Sequence, residues 1–365
     1  MLPLRHGVTV VAAWAVTGLG AGATRAGAQA PPPPDSLSRF ERTVRGDDGG
    51  ANAGVAAPRL RSATNVRGAT QRFELGTHGT FEYRRPVRLR AVREIPATVV
   101  GTLVLGVQPQ TLPEWGAAAV SSLALYAADD YLLDKTRMLA RHLGLPPNHP
   151  SINLRFAGMK LPIPSTLGSA LYFLGDGSAD LLVAGGFMVH GFRKDDNRAR
   201  TTASEITSGL VSLGVYTQLL KRSFGRQTPN EATGPRGRWR PFPAMGDYNA
   251  NVPAYDAMPS GHMAAAMSTV EIIALNYPEK RFVRPLGYSL MTVLGFAMVN
   301  NGVHWASDYP LALMIGGGVA RVTVARGRAQ VQEEVGAAAG RPNRGFTWSP
   351  LISPRAVGVT LGLPY

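Results

Sequence analysis

The chain has 365 residues, with 38 basic against 24 acidic side chains, a formal charge of +14, no cysteine, 28 Pro and 42 Gly. The absence of cysteine excludes a disulfide scaffold, a Cys-ligated zinc or iron–sulfur centre and a thiol nucleophile, and an apolar share of 45% excludes global disorder. The 17% charged share is below the ~25% usual in soluble domains, and the basic excess, nearly all arginine, points to anionic partners without naming one.

Residues 1–30 read as a secretory signal peptide. Arg5 and His6 precede an apolar stretch from Val8 to Gly22, and Ala26-Gly27-Ala28 and Ala28-Gln29-Ala30 are small-x-small cleavage sites. An uncleaved anchor is the alternative, although the apolar run is short for a span of roughly 20 residues. The mature protein is expected to be exported, periplasmic or membrane-associated, with its site outside the cytoplasm. Residues 31–80, with Pro31 to Pro34, a Gly/Ala/Asn run and scattered arginines, are expected to form a flexible arm.

From 81 to 330 the chain predicts one helical domain. Segments 95–107, 113–143, 166–191, 202–223, 260–276, 284–303 and 308–326 are rich in Ala, Gly, Leu and Val and long enough for helices. The fold class is therefore all-α, a bundle of about six to seven helices. Residues 340–365 differ: Val357, Val359, Leu361 and Leu363 alternate with smaller residues and predict a small C-terminal β-hairpin. Pro285 to Ser307 carries no Asp, Glu, Lys or Arg, enough to cross a bilayer, and Gly and Ala suit close packing in lipid. A membrane-embedded or membrane-associated bundle is expected, with a freely soluble one as the alternative.

Three separated motifs carry chemistry. Lys221 to Pro229 closes a helix and enters a basic loop, Pro259-Ser260-Gly261-His262 opens the next helix, and Asn301 to Asp308 contains His304. Lys221 supplies an ammonium for phosphate oxygens. Ser260 and Gly261 stand where a helix begins and its N–H groups can receive an anion, which leaves His262 at the edge of that site for proton transfer. His304 and Asp308 are four apart, one face of a helical turn, where a carboxylate fixes an imidazole tautomer. His142, His149 and His190 lack ligand spacing, and Asp129, Asp130 and Asp134 read as a solvated or capping cluster. Trp115, Trp239 and Trp305 suggest an interfacial belt, and Tyr255 and Asp256 stand at the expected pocket mouth.

In this order, each at a helix end, the motifs resemble the type-2 phosphatidic acid phosphatase superfamily, which includes lipid phosphate phosphatases, bacterial acid phosphatases and vanadium haloperoxidases. The resemblance covers about residues 115–326. The family pattern is Lys-x6-Arg-Pro, then Pro-Ser-Gly-His, then Ser-Arg-x5-His-x3-Asp, with the motifs gathered at one end of a helical bundle. It implies that His304 is the nucleophile forming a phosphohistidine, Asp308 its orienting carboxylate and His262 the general acid. Lys221, Ser260 and Gly261 would hold the phosphoryl oxygens. No metal and no cofactor are implied.

Two positions depart from that pattern: Thr228 and Met298 stand where the family has arginine. Losing one such donor costs roughly 10²–10³ in rate. Arg226, with Arg222, Arg236, Arg238 and Arg240 behind it, is the expected substitute at the phosphate. Three functions are compatible: a phosphatase-like hydrolase of a lipid phosphomonoester or diphosphate, a catalytically impaired relative binding a phosphorylated lipid or partner, and a soluble exported acid phosphatase. The expected partners are a phosphorylated lipid or small phosphoester and a membrane, with no nucleic acid; the oligomeric state is left open.

Overall fold

A computed structural model describes residues 70–75, 78, 80–86, 90–145, 147, 151–156, 159–164, 177–338, 347–353 and 356–362. The expected signal peptide and residues 31–69 of the expected arm lie outside the described residues. Within the described residues the chain is mostly helical, as expected. The helices are α1 (Arg90–Gly106), α2 (Leu112–His142), α3 (Ser178–Lys194), α4 (Asn197–Phe224), α5 (Met245–Ala250), α6 (Gly261–Asn276), α7 (Val283–Asn300) and α8 (Tyr309–Ala338). Of these, only the single-turn α5 was not anticipated from the pattern.

Local chemistry sets the boundaries. Helix α4 starts where the Asp196 carboxylate accepts from the Ala199 N–H at 3.0 Å, and it ends at Gly225 in the left-handed region. Helix α6 starts at Ser260, whose hydroxyl oxygen accepts from the Met263 N–H. It is apolar on nearly all sides and fits the centre of the bundle, packed against α4, α7 and α8. Gly316 lets α8 close on it, since a Cβ there would stand 2.4 Å from the Ala264 carbonyl oxygen. Met298, Leu294, Val319 and Met263 share the resulting core, each buried side chain contributing about 1.5–3 kcal/mol.

Two features differ from the sequence reading. Residues 70–80 are not wholly part of an arm, because β1 (Thr70–Glu74) pairs antiparallel with β2 (Thr80–Arg84). This N-terminal hairpin docks on the bundle. Tyr83 is 2% exposed and its hydroxyl donates to Asn276 Oδ1 at 3.0 Å, while Gln71 Oε1 accepts from the Asn197 N–H at 2.8 Å. Five-residue strands give too short an alternation to stand out against a Gly- and Arg-rich neighbourhood. A second pair, β3 (Ser151–Phe156) with β4 (Met159–Pro164), lies between α2 and α3. Near the C-terminus, β5 (Thr347–Ser353) pairs with β6 (Ala356–Gly362).

The uncharged run from Pro285 is not one helix. Helix α7 stops at Asn300, and Gly302 turns the chain at φ +66. Among the described residues, no helix is long and apolar enough to cross a membrane.

Candidate active site

The end of α4, the start of α6 and the turn between α7 and α8 meet at one end of the bundle. Arg226, directly after α4, bridges both to Trp239 in the following loop and to Asp256 just before α6. The third motif is held by Asn230, which donates from its side chain to the Asn301 carbonyl at 2.8 Å and from its backbone to the Gly302 carbonyl at 3.1 Å. A Cβ at Gly302 would lie 2.0 Å from Asn230 Oδ1, so the positive φ and the close approach both demand glycine there. The Ser260 N–H donates to the Asp308 carbonyl at 3.2 Å, which ties the second motif to the third.

These ties bring the two imidazoles together. His262 Nδ1 lies 3.3 Å from His304 Nε2, with ring centroids 5.5 Å apart. His304 is buried at 2% exposure, whereas His262 is half-buried at the rim. His304 Nδ1 stands 2.7 Å from the Ala257 carbonyl oxygen. A carbonyl only accepts, so the His304 proton is on Nδ1 and its Nε2 presents a lone pair to His262. It follows that His262 carries its proton on Nδ1, facing His304. Burial pushes the His262 pKa well below the usual imidazole value, and the neighbouring His304 and the Lys221 ammonium add to that shift.

Asp308 is placed differently from the expectation. Its Oδ2 is 3.6 Å from His304 Nδ1, too far for a hydrogen bond, and accepts instead from the Trp305 N–H at 2.8 Å. Its Oδ1 accepts from Arg226 Nη1 at 2.6 Å. The carboxylate therefore shapes the turn that carries His304, and the Ala257 carbonyl fixes the tautomer.

Arg226 is not a phosphate ligand, which corrects the sequence reading. It is fully buried and donates to Asp308, to Ser307 Oγ at 2.7 Å, to Asp129 Oδ2 at 2.7 Å and to the Arg236 carbonyl at 2.9 Å. Tyr126, Trp239 and Trp305 enclose it, with ring centroids 5.0 to 5.3 Å from the guanidinium carbon. Asp129 is likewise no solvated residue: it is 1% exposed and also accepts from the Ser307 N–H at 3.1 Å. Burial raises its pKa from 3.8 to about 6, against the pull of Arg226 and Ser307. The sequence signal was an acid inside the apolar part of α2, misread because nothing local shows that Arg226 would face it. Trp305 is buried too, its indole N–H donating to the Gln227 carbonyl at 2.8 Å, so it belongs to no interfacial belt.

The remaining residues form the rim. Lys221, in the last turn of α4, is 8% exposed and its ammonium lies 3.0 Å from Asp256 Oδ2. Ser260 is fully buried with its hydroxyl serving as the α6 cap, while an added Cβ at Gly261 would meet nothing within 4 Å. There is thus open space beside the first turn of α6, where helical N–H groups lack intrahelical acceptors. Thr228 and Met298 are both buried, Met298 completely within the core. Arg222 stacks over Tyr248 and Arg236 over Tyr126.

Residues 203–331 match the family model of the PAP2 superfamily. That segment is similar to the PAP2 superfamily. The match includes all three motifs and the helices that present them, and in general terms it supports a phosphatase-like function on a phosphorylated substrate. No curated protein and no solved structure matches the chain. The PAP2 segment begins within α4, so Asp129 on α2 lies outside it although the side chain reaches the segment's buried base.

Proposed function

We propose that this protein hydrolyses a phosphoester, that of a lipid, through a phosphohistidine on His304. The observation carrying this reading is the 3.3 Å approach of His262 Nδ1 to His304 Nε2, two imidazoles facing each other beside an open helix N-terminus. His304 Nε2 attacks phosphorus, the bond from phosphorus to the leaving oxygen breaks, and His262 in its protonated form delivers a proton to that oxygen. Water then attacks the phosphohistidine, giving its proton to His262, and phosphate leaves. The Lys221 ammonium and the first-turn N–H groups of α6 receive the phosphoryl oxygens. A phosphorus atom cannot fit between nitrogens this close, so substrate parts the rings.

A membrane surface as the working place is supported by outward apolar stripes. Val211, Val215 and Leu219 on α4 are 48%, 49% and 62% exposed, and Leu286, Leu290 and Val293 on α7 are 53%, 46% and 41% exposed. Such unpartnered stripes at helical spacing suit lipid contact. Export by the N-terminal segment completes the reading.

A second reading is a catalytically impaired domain that binds a phosphorylated lipid or partner. It is favoured by Thr228 and Met298, since losing two cationic donors costs on the order of 10⁴ or more in rate if the effects add. Phosphate release from phosphatidic acid and an isoprenoid diphosphate by the wild type and His304→Ala tests the pair. Loss of release in His304→Ala supports the hydrolase, and no turnover of these or of a phosphodiester by either protein supports the binding domain.

A further inference from the structure

The cations expected around a phosphoryl group are largely cancelled in this pocket. Of the two family arginines one is Thr228 and the other Met298, both buried. Arg226 faces two carboxylates, Asp129 and Asp308, so that cluster contributes no free positive charge. Lys221 is the cation nearest the start of α6 that the three motifs supply, and its side chain, 10% exposed, pairs at 3.0 Å with Asp256, itself 22% exposed. Asp256 precedes Ala257, whose carbonyl oxygen lies 2.7 Å from His304 Nδ1, and the Lys221 ammonium it pairs with is close enough to His262 to help lower its pKa. A ligand bound at Lys221 shares the ammonium with that fixed negative charge.

A phosphomonoester brings about 1.5–2 negative charges at neutral pH and a diphosphate more, and both call for several cations. A phosphodiester brings one, spread over two oxygens, and one ammonium with helix N–H donors suffices. We propose that Asp256 is a specificity-determining residue that sets this pocket for monoanionic phosphodiesters over dianionic monoesters. The inference rests on the dyad reading above and narrows its substrate class. In the corresponding reaction the bond between phosphorus and His304 Nε2 forms as the P–O bond to one alcohol breaks, and that alcohol takes the His262 proton. Water then cleaves the P–N bond and gives a proton to His262, so the products are an alcohol and a phosphomonoester.

The experiment compares bis(p-nitrophenyl) phosphate with p-nitrophenyl phosphate as substrates of the full chain, wild type, Asp256→Asn, Asp256→Glu and His304→Ala. Wild type is expected to favour the diester in kcat/KM. Asp256→Asn should move the ratio toward the monoester by at least about tenfold, the scale of removing a like-charge contact at a shielded site, and Asp256→Glu should keep the wild-type ratio. Binding is read in parallel from the His262 imidazole resonances during titration with diphenyl phosphate and phenyl phosphate. Asp256→Asn should tighten phenyl phosphate selectively, whether or not turnover is measurable. A wild type preferring the monoester in both measurements, or a preference unmoved by Asp256→Asn, overturns the inference. Turnover surviving in His304→Ala instead overturns the dyad reading, so the two failures are distinct.

Discussion

Arg226 Nη2 lies 2.7 Å from Asp129 Oδ2 across 97 residues of sequence, with neither side chain reaching solvent. The same guanidinium holds Asp308 at 2.6 Å, so one cation balances two buried carboxylates beneath His304. Removing the cation leaves those carboxylates facing each other, whereas removing one carboxylate leaves a matched pair. Arg226→Met is therefore expected to destabilise by about 3–5 kcal/mol, and Asp129→Asn by about 1–3 kcal/mol for its lost acceptor. Urea unfolding of both variants checks the order.

Asp129 also gives stability a pH signature. Its folded pKa of about 6 is raised above 3.8, so its contribution is fully present below about pH 4 and is lost as pH rises through 6. Asp129→Asn lacks that slope, and the gap between wild type and variant should narrow from pH 4 to pH 7. Thermal unfolding across that range measures it.

His262 should be neutral in the resting protein at neutral pH, since burial, His304 and Lys221 all lower its pKa. For a histidine with a depressed pKa, the folded state gains most above about 6.5 and loses that contribution as pH falls through the folded value. A bound oxyanion reverses the local field and raises the pKa, supplying the protonated acid only when substrate is present. Titration of the His262 ring by NMR, with and without vanadate, should show a low value that rises on binding.

Restoring the family arginines should not restore a strong phosphate clamp. Met298 is completely buried among Leu294, Val299 and Val319, so Met298→Arg drives an unpaired charge into the core. An expected loss of more than about 3 kcal/mol would appear as a lowered Tm with no gain in turnover. Thr228→Arg meets similar burial, at 2% exposure, and should raise turnover little.

Most of the bundle was legible because its helices are long and apolar, and the start at Ser260 and the stop before Gly225 matched, whereas the Asp196 cap and the turn at Gly302 were missed by segments that began at 202 and ran to 303. The dyad was legible because each histidine sits in a short motif at a helix end. What escaped was long-range. Asp129 read as a solvated charge and Arg226 as a phosphate ligand because the residue each faces lies far away in sequence. The Ala257 carbonyl left no trace in side-chain chemistry, and Asp308, at the expected spacing from His304, serves the turn and Arg226 before the imidazole. The β1–β2 hairpin was hidden by the brevity of its strands.

The export and surface reading is checked by fractionation. The mature chain should begin at or near Pro31 and should partition with membranes until detergent is added; a full-length N-terminus in a detergent-free extract would contradict both halves.

The account stands on His304 Nε2 as the atom that takes the phosphoryl group, and rapid quenching under alkaline conditions followed by mass spectrometry of the His304 peptide tests it most directly. With a phosphoester that the protein turns over, a phosphoryl adduct on His304 is expected, decaying at the rate of product release and absent from His304→Ala. Turnover with no adduct on His304, or with His304→Ala as active as wild type, would contradict it.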